Sequence, residues 1–214
     1  MKTKAFFTSF FLLLFTCTAA FAVVKENRNV GSFTKVSIGS AFKVYLSIGS
    51  TQSVEVEIDD EYINDVQTSV SGGTLYVKLT DGGRGNRNIR VMNVYITMPA
   101  LDGIVASGAA KFNIETPIKS SGTVSFDLSG ASAVKDVELS CAKLDIEQSG
   151  ASKCSIKLTA KEVNIDISGA ANLNLSGKVD DLNVEGSGAA KVDVRNLKYS
   201  KSDVDMSAAA SLKK

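Results

Sequence analysis

Apolar and polar residues alternate with period two along nearly all of the chain beyond residue 30. Phe42, Val44 and Leu46 alternate with Lys43 and Tyr45, and Val54, Val56 and Ile58 with Glu55 and Glu57. Leu75, Val77 and Leu79 alternate with Tyr76 and Lys78, and Met92, Val94, Ile96 and Met98 with Asn93, Tyr95 and Thr97. That is the period of strands with one buried and one wet face, and no segment after residue 22 sustains a helical period. Ile48-Gly49-Ser50, Ser71-Gly72-Gly73 and the loop Asp81–Asn86 break these strands. Residues 31–100 are therefore expected to form irregular opening coils or a capping sheet, preceded by a short mobile leader over 23–30.

The second half is a repeat. Ser107-Gly108-Ala109-Ala110 returns as copies beginning at Ser129, Ser149, Ser168 and Ser187, and as Ser207-Ala208-Ala209-Ala210. The Ser-to-Ser intervals are 22, 20, 19, 19 and 20 residues. Three positions before each Ser stands an apolar residue (Ile104, Phe126, Ile146, Ile165, Val184, Val204), and five after it another (Phe112, Val134, Cys154, Leu173, Val192, Leu212). A period near 20 residues with two or three short strands predicts the coil of a β-solenoid, over 101–214. The Ser-Gly-Ala unit is its corner, with Gly taking the positive φ of a sharp bend and Ala filling a cramped inner position. Stacked at the ~4.8 Å spacing of strands, six coils would make a rod of roughly 25–30 Å.

The repeated corners, the export signal described below, and Phe33-Thr34-Lys35-Val36 followed by Phe42-Lys43-Val44-Tyr45-Leu46 resemble a family of exported bacterial proteins. It is the "putative auto-transporter adhesin, head GIN domain" family, a domain of unknown function common in Bacteroidetes. The resemblance spans roughly residues 31–214, as a single domain. It implies an all-β, right-handed parallel β-helix-like fold, placement in the periplasm, at the outer-membrane surface or outside the cell, and no assigned catalytic residue. The membrane barrel that an auto-transporter needs is not expected in this chain.

Residues 1–22 change the picture of location. Lys2 and Lys4 precede an apolar run from Phe6 to Phe15, and Ala20-Phe21-Ala22 offers small residues where a signal peptidase reads. This predicts a cleaved secretory signal peptide. The run is short for a membrane span, and Cys17 offers the alternative of a lipidated N-terminus. Cleavage takes 24 basic residues to 22 against 23 acidic ones, a net charge of −1. Such a chain offers no electrostatic footprint for nucleic acid. Cys141 and Cys154 remain; a bridge is open to them, but Cys154 falls on an apolar repeat position that suits a buried thiol.

Composition narrows the chemistry. The 214 residues contain no His and no Trp, and 7% are aromatic. The commonest general base and imidazole metal ligands are excluded, and no cofactor motif is present. Asp127, Glu147, Asp166, Glu185 and Asp205 fall on one face at coil spacing. Paired carboxylates suggest glycoside hydrolysis, but a catalytic site is a local exception to a repeat and this column is the repeat itself. Solvent and Lys111, Lys153 and Lys191 are expected to relieve its repulsion. Arg84 and Arg87 lie in the only basic cluster, which could meet an acidic glycan or a partner carboxylate. Tyr45, Tyr76 and Tyr95 all leave the core on the wet faces of their strands and are expected to form an aromatic patch for sugar rings or a protein partner. The reading is an exported, non-enzymatic envelope protein that binds glycan or protein. A structural scaffold is the alternative, with a polysaccharide-active enzyme behind both.

Overall fold

The computed structural model describes residues 22–80 and 88–214. The signal segment, apart from Ala22, lies outside the described residues. The N-terminal half carries β1 (Val23–Asn27), β2 (Lys35–Ile38), β3 (Lys43–Ile48), β4 (Ser53–Asp59), β5 (Val66–Ser71), β6 (Thr74–Leu79) and β7 (Met92–Met98). A 3-10 turn, Asp60–Asp65, follows β4. The C-terminal half carries β8 (Gly103–Ala106), β9 (Lys111–Ile114), β10 (Ile118–Lys119), β11 (Thr123–Leu128), β12 (Ala133–Ser140) and β13 (Lys143–Gln148). Three long strands follow, β14 (Lys153–Ile167), β15 (Asn172–Gly186) and β16 (Lys191–Met206), and then β17 (Ser211–Lys213).

These strands stack in parallel as the walls of a β-solenoid. The first wall runs β6, β2, β8, β11, β13 and then the second halves of β14, β15 and β16. The second wall runs β7, β3, β9, β12, the first halves of β14, β15 and β16, and finally β17. A bulge between Val134 and Val137 turns the later part of β12 away from its start. Buried Val, Ile, Leu and Phe from every coil form one continuous core between the walls, from Val36 and Leu75 to Val184 and Val192.

The corner motif joins the walls, and its glycines are required twice over. Gly108, Gly130, Gly150, Gly169 and Gly188 all have φ between 65° and 69°. In addition, the amide of each following Ala donates to the carbonyl at the equivalent position of the neighbouring coil, Ser40 O for Ala109 and a glycine oxygen for the others, as from Ala151 N to Gly130 O at 2.8 Å and from Ala170 N to Gly150 O at 2.8 Å. A Cβ on Gly150 would lie 2.7 Å from that same Gly130 oxygen. The fourth motif position points inward, so Ala110, Ser132, Ser152, Ala171 and Ala190 are buried and small.

The N-terminal half departs from its expected order. The coil β2–β3 lies inside the stack, between the coil β6–β7 and the coil β8–β9. Its corner is Gly39-Ser40-Ala41-Phe42, with Ser40 at φ 60° in the place of glycine and Phe42 filling the inner position. Antiparallel strands cover the end of the stack: β4 on β7, β1 on β4, and β5 on β6. Opening coils and a capping sheet are thus both present, interleaved. The leader expected to be mobile over 23–30 is corrected, because its first five residues are β1. Val23–Asn27 pair in register with Asp59–Glu55, which satisfies the edge that β4 would otherwise expose.

Candidate functional site

The register of the second wall brings Tyr45 and Tyr95 side by side. They are direct partners on β3 and β7, with ring centroids 5.0 Å apart and planes 12° from parallel. Alternation turns both rings outward over buried Val44, Leu46, Val94 and Ile96. The capping strands then hold Tyr95. Its hydroxyl donates to Glu57 at 2.7 Å, and Asn93 Nδ2 donates to the same oxygen at 2.8 Å. The Asn93 and Tyr95 bonds hold the Glu57 carboxyl below its ordinary range, and the bond to Glu57 pushes the Tyr95 phenol up. Lys25 from β1 sits with Nζ 4.3 Å from the Tyr95 ring centre and pairs with Glu55 at 3.1 Å. Sequence reasoning missed Lys25, Glu57 and Asn93. Their roles depend on antiparallel pairings of β1 and β4 that period-two alternation does not specify.

Tyr76 is not part of this cluster. It lies on β6 in the first wall, opposite Ser37, and is 41% exposed. The expected three-tyrosine patch is therefore corrected to a pair, because neighbouring strands β6 and β7 leave their coil on different walls. Arg84 and Arg87 lie outside the described residues.

From Tyr45 the outward positions of the second wall continue as two parallel rows. One runs Tyr95, Tyr45, Asn113, Lys135, strand partner to strand partner. The other runs Lys43, Lys111, Ala133, Lys153, Asn172, Lys191. Between them lies a groove of about 370 Å³ whose lining includes Lys111, Asn113, Lys135 and Lys153.

The acidic column is real and lies on the other wall. Asp127, Glu147, Asp166, Glu185 and Asp205 are successive partners in register, with Val105, Ser37 and Tyr76 continuing the row. Beside it Asp145, Asn164, Asn183 and Asp203 make a second row, with Asn164 Nδ2 donating to Asp145 at 3.0 Å. The expected relief by Lys111, Lys153 and Lys191 does not occur, since the corner places those lysines on the second wall. Among the described residues none of the five column carboxylates makes an ion pair, and no group of Asp, Glu and Cys has the geometry of a metal site. Both thiols are free and buried, and burial pushes Cys154 up to about 12 and Cys141 to about 11.

Comparison with known proteins bears on the whole stack. The family model described as "Putative auto-transporter adhesin, head GIN domain" matches residues 32–213. A crystal structure of a "putative adhesin" from Parabacteroides distasonis is similar with a TM-score of 0.75 at 16% identity, over 85% of this chain and 77% of that one. One from Bacteroides fragilis gives a TM-score of 0.66 at 18% identity, over 91% and 97% of the two chains. One from Parabacteroides merdae gives 0.55 at 16% identity, over 89% and 95%. At these identities the likeness is one of fold. No curated protein matches the chain. No helix among the described residues is long and apolar enough to cross a membrane.

Proposed function

The chain belongs to the family described as "Putative auto-transporter adhesin, head GIN domain", and from that premise we propose that it is an exported, non-enzymatic adhesion module that binds glycan through its second wall. The carrying observation is the Tyr45–Tyr95 stack on paired strands, one coil away from the groove that Asn113, Lys111 and Lys135 line. Tyr45 packs on the Tyr95 ring and Lys25 Nζ lies over that ring, so a sugar's axial C–H groups meet the Tyr45 ring and the outer edge of the pair, which is ordered in advance and loses no further side-chain freedom. Export is supported by Lys2, Lys4 and Ala20-Phe21-Ala22. The regular, solvated acidic column speaks against catalysis by those carboxylates, since no single pair is set apart from its neighbours.

Residues 23–214 applied to a glycan array test the reading, with Tyr45→Ala/Tyr95→Ala and Tyr76→Ala alongside. The expected result is binding to one glycan class that the double variant loses and Tyr76→Ala keeps. Absence of any glycan binding would overturn the reading and direct the search to protein partners by crosslinking on intact cells.

A further inference from the structure

The near-neutral net charge conceals a division between two faces. Around one set of corners the first wall presents the column of five carboxylates, and the second wall presents Lys43, Lys111, Lys135, Lys153 and Lys191, all exposed. None of these lysines forms an ion pair with a described residue. Acids at the two ends of their wall are already engaged. Glu55 is held by Lys25, Glu57 by Asn93 and Tyr95, and Asp193 by Arg195, whose side chain holds that carboxyl down to about 2. Lysines gathered along one wall with no acid paired to them attract anions from outside the chain.

The geometry of the row fits a linear answer. Lys43 and Lys111 are direct partners, and beyond them lysine recurs on alternate coils, with Ala133 between Lys111 and Lys153 and Asn172 between Lys153 and Lys191. Alternate coils are ~9.6 Å apart at the usual strand spacing. In an extended, two-fold polyuronate, alternate residues turn their carboxylates to the same side, so charges recur on that side at about two coil spacings. Ala133, 8% exposed and without reach, leaves the groove open between two lysines. Tyr45 and Asn113 in the neighbouring row supply a ring platform and an amide suited to uncharged hydroxyls.

We propose that the second wall binds an acidic polysaccharide laid along the stack, a ring against Tyr45 at the edge of the tyrosine pair and its carboxylates or sulfates on Lys111, Lys153 and Lys191. The inference rests on the glycan reading above and names the class of glycan. It also makes binding salt-dependent, because each lysine contact displaces counterions.

The test measures binding of residues 23–214 to polygalacturonate and to heparin, with neutral dextran and a single-stranded thymidine oligonucleotide as comparisons. Expected are binding to at least one acidic polysaccharide at least about ten-fold tighter than to dextran or the oligonucleotide, and weakening at higher salt. Lys111→Glu/Lys153→Glu should weaken it about ten-fold or more with an unchanged melting temperature, and Lys111→Arg/Lys153→Arg should retain it. Glu147→Lys/Glu185→Lys on the other wall should not weaken it. Equal binding to dextran, or indifference to the lysine reversals, overturns the proposal while a positive glycan array leaves the glycan reading intact. Tighter binding to the oligonucleotide overturns it in favour of a general polyanion site. No binding to any glycan overturns both.

Discussion

At the residue scale the corner is the most exacting position in the chain. Gly150 combines φ 67° with a carbonyl 2.7 Å from where a Cβ would stand, whereas Gly72 has φ 55° in open space. Gly150→Ala is therefore expected to cost about 3 kcal/mol or more, and Gly72→Ala about 1 kcal/mol, in urea unfolding. Similar costs at the two sites would mean that the corners do not stack as described. The five regular corners were legible in the sequence because one Ser-Gly-Ala unit meets one steric demand each time. The Gly39–Phe42 corner was not, because Ser40 accepts the strained φ and Phe42 replaces the small inner residue. Asp59 gives a pH signature. Arg90 donates to it from its backbone N at 2.7 Å and from its side chain at 3.2 Å, and these bonds hold the carboxyl below its ordinary range. Its stabilising contribution is present above the unfolded pKa of about 3.9 and is lost as pH falls through the lower folded value. Asp59→Asn should thus destabilise at pH 7, by about 1–3 kcal/mol, with a penalty that shrinks below pH ~4. A penalty constant with pH would contradict the ion pair's role.

At the element scale, alternation specified which face of each strand is wet but not which strands are neighbours. Tyr45 and Tyr76 read alike in the sequence, yet β3 and β6 belong to different walls. Strand β2–β3 enters the stack between coils that come later in the chain, and a local pattern carries no information about such an insertion. The regular half was readable because each coil pairs with its neighbour in sequence, so period and stacking coincide. The acidic column is an element-scale strain. Glu147→Gln or Asp166→Asn should stabilise the protein by roughly 0.5 kcal/mol at low salt, and less at high salt, in thermal unfolding. Destabilisation would show that these carboxylates hold something in place.

At the scale of the whole molecule the solenoid converts a 20-residue sequence period into two long faces of opposite charge. The sequence revealed both sets of charges but assigned them to one another, because the corner that separates Asp127 or Glu147 from Lys111 or Lys153 also separates the walls. Family membership and the solved structures of similar fold agree with a single stack running through the whole of residues 32–213. On the proposed reading the second wall, with Tyr45 and the lysine row, is the one that binds. Side-chain footprinting of lysines and tyrosines by mass spectrometry, with and without saturating polygalacturonate, tests this most directly. The account predicts protection of Tyr45, Tyr95, Lys43, Lys111 and Lys153, with Tyr76, Lys78 and Lys35 of the first wall unchanged. Protection centred on Tyr76 and the first wall, or none at all, would contradict it.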